Sequence, residues 1–331
     1  MKILLTAIGK RVQLIKHLKK SCTIIGVDAG ELAPAIDFVD DFYKISKYSE
    51  KGYIEELLNI CREEKIDFLI PLYEREFPLL CHHRKDFLHL GTTLLLSDKE
   101  IIDICNDKWK SYKFFEDNNI DTPKTYDKNS IKEILRDNSK LKELKFPLII
   151  KPIYGMGSAG VFKAYDKSQL EFFMDYVKEP IIQEFIEGTE YTMDILSDLL
   201  GNVISIVPRE RIEVRSGEVS KTRTIKDISI ISATLDLCNK LRQIRGTSKV
   251  SENYPLTIMG PLTIQCIVNK NKEIKFIEIN PRFGGGVPLS FHAGVDYGDY
   301  FVKMKKGELI TPIIGEFEEL TMLRYDEAIF K

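Results

Sequence analysis

The chain has no CxxC pair, no HExxH or comparable histidine spacing, no apolar run of membrane-spanning length and no marked excess of either charge. Each absence removes a class of function. The six cysteines (Cys22, Cys61, Cys81, Cys105, Cys238 and Cys266) are scattered, which speaks against a zinc site or a disulfide framework. Several lie in apolar runs and read as reduced core thiols. His17, His82, His83, His89 and His292 form no ligand pattern. Lys plus Arg number 48 against 50 Asp plus Glu, a formal charge of −2, so global charge gives no support for a nucleic-acid partner. The opening MKILLTAIGKR has too short an apolar run for a signal peptide, and nothing is long enough to span a bilayer. A cytoplasmic enzyme or binding protein without a membrane partner is expected.

What is present is ordinary globular material. A length of 331 residues suggests two or three domains, and a hydrophobic content of 44% supplies cores for them. The first part alternates short apolar strands with amphipathic helices. Strands are expected at 2–7, 22–27, 66–72 and 92–96, with helices at 10–20 and 53–65. This rhythm implies a small parallel sheet covered by helices, and an α/β class. Ser97 to Glu100 has the spacing of a capping box, and helices are expected to about 106 and over 108–118. Further expectations are a polar helix at 130–144, a strand at 146–151, a helix at 169–177 and a strand at 181–185. A strand pair at 191–198 and 203–208 turns at Gly201-Asn202. A helix is expected at 228–244, strands at 263–268 and 274–279, helix over 289–306, and a last strand within 319–330. No internal repeat is visible.

The segment FIEINPRFGGG, Phe276 to Gly286, concentrates the chemistry. Glu278 and Asn280 lie two apart on a strand and leave the same face. If 263–268 and 274–279 form an antiparallel hairpin, pairing Val268 with Lys275 puts Gln265 opposite Glu278, about 5 Å away at Cβ. Gln265, Glu278 and Asn280 are hard oxygen ligands with Arg282 beside them, a set suited to Mg²⁺ shared with substrate phosphates. Lys151 ends the strand PLIIK and is followed by a glycine-rich loop, PIYGMGSAG, whose backbone N–H groups can approach phosphate oxygens closely. The loop is neither a P-loop nor a strand-to-helix GxGxxG. Arg209, Arg211, Arg215, Lys221 and Arg223 crowd one stretch, which reads either as a loop gripping anions or as a solvated basic hairpin. Glu74 follows a strand end of the first sheet, an edge where ligands often bind. Gly9, Lys10 and Arg11 occupy the first strand-to-helix turn and read as scaffold. TAIGKR has too few glycines for a nicotinamide-dependent oxidoreductase.

Taken together these motifs resemble the ATP-grasp enzymes, especially the carbamoyl-phosphate synthetase-like branch, in which NPRFGGG is a recurrent string. The resemblance covers roughly 2–306, with its sharp motifs between Lys108 and Gly286. It implies an N-terminal pre-ATP-grasp parallel sheet over 1–97, a small lid with the glycine-rich loop over 98–184, and a C-terminal α+β lobe with the metal site over 185–331. It further implies that Lys108, in NDKWKSYKFF, is the first nucleotide-contacting base, and that Trp109 packs. Lys151 takes the α- or β-phosphate, and the loop Gly155, Gly157, Ser158 and Gly160 covers the β- and γ-phosphates. Glu184, Phe185 and Ile186 present backbone to the adenine. Glu190 takes the ribose, with Glu187 as the second choice. Arg282 neutralises charge on the γ-phosphate and on an acyl phosphate. Tentative substrate contacts are Arg209, Arg211, Arg215, Gly285 and Glu74, and His292 stands between a structural and an acceptor-facing role.

The implied activity is an ATP-dependent ligase that joins a small carboxylate to an amine. Its cofactors are ATP and Mg²⁺, with Mn²⁺ as a substitute, and a homodimer or partner subunit is a further expectation. Two alternatives remain: a carbamoyl-phosphate synthase-like enzyme or subunit, although this chain carries one ATP-grasp unit rather than two, and a non-catalytic ATP sensor.

Overall fold

The computed structural model describes residues 1–331 except 143, 156, 158, 216 and 245–256, together with the side chains of 138 and 140. Its strands fall into three sheets.

The first sheet is parallel and holds β1 (Lys2–Thr6), β2 (Thr23–Asp28), β3 (Asp41–Lys44), β4 (Phe68–Ile70) and β5 (Thr93–Leu94) in the order β3-β2-β1-β4-β5. Helices α1 (Val12–Leu18), α2 (Tyr53–Glu64), α3 (Phe77–His82) and α4 (Arg84–His89) cover it. Successive residues of β1 go to opposite cores: Ile3 and Leu5 pack with α1, and Leu4 packs with α2 and α3. Burial on both faces explains why this strand reads as a continuous apolar run. The strand order reverses between β1 and β4. In open α/β sheets the crevice at such a reversal, beyond the carboxyl ends of the strands, is where ligands bind. Arg11 and Leu72 to Glu74 stand there.

Helices α5 (Lys99–Asn106) and α6 (Lys108–Asp117) follow. Ser97 and Glu100 do not make the expected capping box, because Asp98 is the residue that starts α5 and it makes no side-chain cap bond. Buried Ser97 instead bonds with its hydroxyl to the backbone of Met259, accepting from its N–H at 3.1 Å. Tertiary burial removed the hydroxyl from the helix end. Asp107 does cap α6, accepting from the N–H groups of Trp109 and Lys110 at 2.9 and 3.0 Å.

The second sheet is antiparallel: β6 (Thr125–Asp127), β7 (Leu148–Pro152), β8 (Phe162–Ala164) and β9 (Pro180–Glu184), ordered β6-β9-β7-β8. Around it lie α7 (Lys128–Arg136), α8 (Asn138–Leu141) and α9 (Lys167–Tyr176), with a small core that includes Ile131, Ile150, Leu170 and Ile182.

The third sheet is the largest: β10 (Gly188–Ser197), β11 (Val203–Arg215), β12 (Glu218–Thr224), β13 (Gly260–Asn269), β14 (Ile274–Asn280) and β15 (Thr321–Leu323), ordered β14-β13-β10-β11-β12-β15. Helix α10 (Ile228–Gln243) covers one part of it, and α11 (Pro288–His292) and α12 (Tyr297–Lys306) tie it to the first sheet through Phe283, Tyr297 and Phe301. Helices α5 and α6, which lie inside the span 98–184, pack on this sheet rather than on the second: Ile101, Cys105, Phe114 and Phe115 share a core with Ile264, Phe276 and Ile279. The structure also adds strands not anticipated from the sequence, namely β3, β6, β8 and β12, each short or polar. Among the described residues, no helix is long and apolar enough to cross a membrane.

Candidate active site

The three sheets enclose a cavity of about 620 Å³, a size typical of small-molecule sites. Its floor is one face of the third sheet. Strand period two delivers Glu190, Thr192 and Asp194 from β10, Arg209 and Arg211 from β11, Thr263 and Gln265 from β13, and Glu278 and Asn280 from β14 to that face. The ladder sets them in rows: Arg209 lies beside Thr192, Thr192 beside Gln265 and Gln265 beside Glu278, while Asp194, Thr263 and Asn280 form the next row.

The expected pairing of Gln265 with Glu278 is present, but Val268 pairs with Ile274 rather than Lys275. A bulge next to Gln265 leaves Ile277 as the extra residue and shifts the rest of the hairpin by one. The side chains of Gln265, Glu278 and Asn280 make no hydrogen bond or ion pair among the described residues. Three oxygen-bearing side chains with free acceptors converge on one wall. No cluster of three or more His, Cys, Asp or Glu that could hold a metal occurs among the described residues. This donor set, with one carboxylate and two carboxamides, fits a hard cation whose remaining ligands are phosphate oxygens and water.

Opposite stands the second sheet. Lys151 on β7 donates to Gln183 Oε1 at 2.8 Å, and Gln183 Nε2 donates to Thr125 Oγ1 at 2.9 Å, so the amide is oriented with its oxygen toward the lysine. Burial lowers Lys151 to about 8, with Glu278 opposing the shift and Lys108 adding to it. Lys108, at the start of α6, donates to Gly155 O at 2.8 Å and thereby holds the glycine-rich loop. Gly155 and Gly157 line the cavity, Gly160 does not, and Ser158 lies outside the described residues. Glu184, Phe185 and Ile186 line it where β9 leaves the second sheet for β10. Lys163 sits over the Phe185 ring, 3.5 Å from its centroid.

Glu190 lines the cavity and pairs with Arg211 at 2.9 Å, and burial raises its carboxyl above the usual range despite that arginine. Glu187 is exposed and outside the cavity, as is His292. Trp109 packs against Tyr112, with ring centroids 5.4 Å apart.

The basic stretch is a β-hairpin, β11 and β12, rather than a loop. Arg209 and Arg211 face inward. Irregular pairing on either side of Glu213 then changes the alternation, so that Val214 lines the cavity and Arg215 points to solvent, 77% exposed and paired with Glu213. Arg215 is therefore displaced from the site, and Lys221 and Arg223 pair with Glu213 and Glu210. Arg209 is 1% exposed and forms a two-point bond to Asp194 at 2.6 and 3.0 Å. Asp194 also accepts from Ser290 at 2.6 Å. Arg209 Nη1 is buried without a hydrogen-bond partner among the described residues. A Cβ built on Gly286 would lie 2.2 Å from that atom, so any larger residue there would have to displace the guanidinium from Asp194.

At the first-sheet end, Glu74 and Arg282 form an ion pair at 2.6 Å. Arg324, beyond β15, donates to Gly285 O and pairs with Glu218 at 2.8 Å. Sequence reasoning missed Thr192, Thr263, Gln183, Asp194, Arg11, Glu218 and Arg324. The polar-inward alternation of YTMDI and IIQEF was a usable signal for the first, third and fourth of these, whereas Arg324 had none.

These elements identify the chain. A family model described as the ATP-grasp domain matches residues 105–286, and one described as the PylC-like N-terminal domain matches residues 3–95. The chain belongs to the ATP-grasp family. It is 27% identical over 314 residues to a carbamoyl phosphate synthase large chain of Clostridium beijerinckii, covering 89% of this chain and 27% of that one. It is 33% identical over 167 residues to D-alanine–D-alanine ligase B of Clostridium perfringens, covering 46% of this chain and 54% of the relative. The chain thus spans about a quarter of the length of the carbamoyl phosphate synthase large chains it matches. Among solved structures, N5-carboxyaminoimidazole synthetase from Staphylococcus aureus complexed with ADP superposes with a TM-score of 0.72 at 16% identity, covering 98% of this chain and 82% of that chain. An L-amino acid ligase from Bacillus licheniformis superposes at 0.66 and 17% identity, covering 94% and 77%.

Proposed function

We propose that the chain is an ATP-dependent ligase that activates a carboxylate as an acyl phosphate and joins it to an amine. One observation carries this reading: Lys108, Lys151 and the glycine-rich loop face Gln265, Glu278, Asn280 and Arg282 across a single cavity. Cations and backbone N–H groups on one wall and free oxygen donors on the other make a bed for a metal-bound triphosphate. The family relationship supports the same chemistry.

In this reading the adenine edge meets the backbone of 184–186, and the ribose meets Glu190. Lys151 takes the α- or β-phosphate, and the loop from Gly155 to Gly160, which includes Ser158, covers the β- and γ-phosphates. Gln265, Glu278 and Asn280 would hold Mg²⁺, or Mn²⁺ in its place, and the ion would neutralise the phosphates. A carboxylate oxygen attacks the γ-phosphorus, the bond to the bridging oxygen breaks, and ADP leaves with that electron pair. Arg282 stabilises the charge on the transferring group, and such stabilisation is the main catalytic need of phosphoryl transfer. The amine then attacks the acyl carbon, phosphate leaves, and the amine loses a proton. A closed lid excludes water that would hydrolyse the acyl phosphate.

We assign 1–97, 98–184 and 185–331 as the pre-ATP-grasp unit, lid and metal lobe, with 98–120 docked on the last. Two small-molecule substrates, a cytoplasmic setting, and a second copy or partner subunit belong to the same proposal. The matched large chains favour a second reading, carbamoyl-phosphate-type chemistry on bicarbonate or carbamate. The test is Mg²⁺-dependent ADP release with pooled carboxylates, with and without pooled amines, and with bicarbonate plus ammonia. Release that needs both an acid and an amine supports the ligase. Release with bicarbonate and ammonia transfers the assignment to the second reading. Tight ATP binding without release under any condition points first to a missing partner or carrier protein and next to a sensor.

A further inference from the structure

The cavity has two electrostatic ends. At the lysine end, Lys151 senses Glu278 and Lys108. At the end formed by the first sheet, Arg11 senses Arg282, Glu218, Arg324 and Glu74. Arg282 is claimed by Glu74 at 2.6 Å, and Arg324 by Glu218 at 2.8 Å. Three guanidinium groups thus face two carboxylates, and both carboxylates are engaged. Arg11 lines the cavity with a side chain that makes no hydrogen bond or ion pair among the described residues. Burial, reinforced by Arg282, lowers it to about 10. A bound oxyanion would relieve that cost. A guanidinium with its donors free and its charge uncompensated is suited to two-point recognition of a carboxylate or phosphate.

The group that reacts must reach the γ-phosphate, beside Arg282 and the metal ligands. Arg11 reaches the same end from a different element, the loop after β1, and its charge adds to that of Arg282. With Arg282 and the metal ligands meeting the reacting group, Arg11 is left for an oxyanion that the reaction does not consume.

We propose that Arg11 is a specificity-determining residue that binds a second oxyanion of the substrate pair, a carboxylate or phosphate monoester left unchanged by the reaction. This rests on the ligase reading above, but its first test does not need turnover. Full-length protein is saturated with Mg²⁺ and β,γ-methylene ATP, which occupies the γ-phosphate position. It is then labelled with phenylglyoxal at constant ionic strength, and the modification of each arginine is followed by mass spectrometry. Arg11 is expected to label faster than solvent-exposed Arg215. Acetate or methyl phosphate should slow Arg11 several-fold while leaving Arg215 unchanged. Protection by acetate identifies a carboxylate, and protection by methyl phosphate identifies a phosphate ester. If neither anion changes the Arg11 rate, the proposal is overturned.

Once the pools above yield a substrate pair, Arg11→Met should raise the KM of one partner roughly 10- to 100-fold, the loss of a charged hydrogen bond. Its kcat and the KM for ATP should hold, and Arg11→Lys should recover part of the loss. An unchanged KM in Arg11→Met also sinks the proposal. Anion protection of Arg11 without turnover in any pool would support the oxyanion site and count against the ligase reading.

Discussion

Glu74 Oε1 lies 2.6 Å from Arg282 Nε, so the first sheet and the glycine-rich end of the third sheet meet through one ion pair at the cavity wall. The two groups are 12% and 20% exposed. Glu74 pairs with Arg282 at Nε and Phe283 O accepts from its Nη1 at 3.1 Å, so the guanidinium is held in one orientation. Replacing Arg282 with Ala should lower kcat by roughly 100- to 1,000-fold, the cost of removing a donor aimed at developing charge. Glu74→Gln keeps the shape but loses the charge, and a smaller fall in kcat of about tenfold is expected. Steady-state ADP release measures both, and a full rate in Arg282→Ala would remove Arg282 from the site.

Among the described residues, Glu278 is the one carboxylate in the set of free oxygen donors on the cavity floor. Glu278→Gln should raise the Mg²⁺ concentration needed for half-maximal turnover by at least about tenfold. Among the described residues the carboxylate has no hydrogen-bond partner to strand, so stability should change by less than about 0.5 kcal/mol. Magnesium titrations and thermal melts check the two halves. An unaltered magnesium requirement would mean that the ion, if one binds, sits elsewhere.

Lys151 is lowered to about 8 by burial. Phosphate recognition needs the protonated amine, which dominates below that value and is lost above it. The KM for ATP should therefore stay flat below about pH 8 and climb above it, approaching tenfold per pH unit until bound phosphate restores the proton. Lys151→Met should have a high KM at every pH and show no such climb. Removing Glu278, whose charge opposes the shift, should move the onset to lower pH.

Asp194 and Arg209 form a buried two-point pair, and Ser290 donates to the same carboxylate. Asp194→Ala leaves an uncompensated guanidinium in the interior, which costs roughly 3–5 kcal/mol. Urea unfolding should register that loss. Gly286→Ala should also destabilise the protein, because its methyl group would overlap Arg209. Ser290→Ala removes only one of three bonds to Asp194, and a loss of about 1 kcal/mol is expected.

Much of the site was legible because strand alternation is a local property. EIN in a run of apolar residues puts Glu278 and Asn280 on one face whatever surrounds it. Gln265 came opposite Glu278 even though the register at the hairpin's far end was off by one, since the bulge lies between that end and the site. The same local logic misled at Arg215. Counting by twos from Arg209 and Arg211 carries it inward, but the irregular pairing around Glu213 changes the alternation. Ser97 failed as a cap for a different reason, because a partner more than a hundred residues away took its hydroxyl.

The sequence by itself determined the parallel first sheet, the oxygen-bearing side chains that share a face of β14, the lysine before the glycine-rich loop, and the family these motifs resemble. These rest on periodicity and short-range spacing, which a chain carries wherever it folds. Only the tertiary structure decided which charges are already engaged. Glu74 meets Arg282, Glu218 meets Arg324, Asp194 meets Arg209, and Arg11 is left without a partner among the described residues. Ion pairing depends on distances of a few ångströms between segments far apart in sequence. Those distances exist only once the sheets have packed.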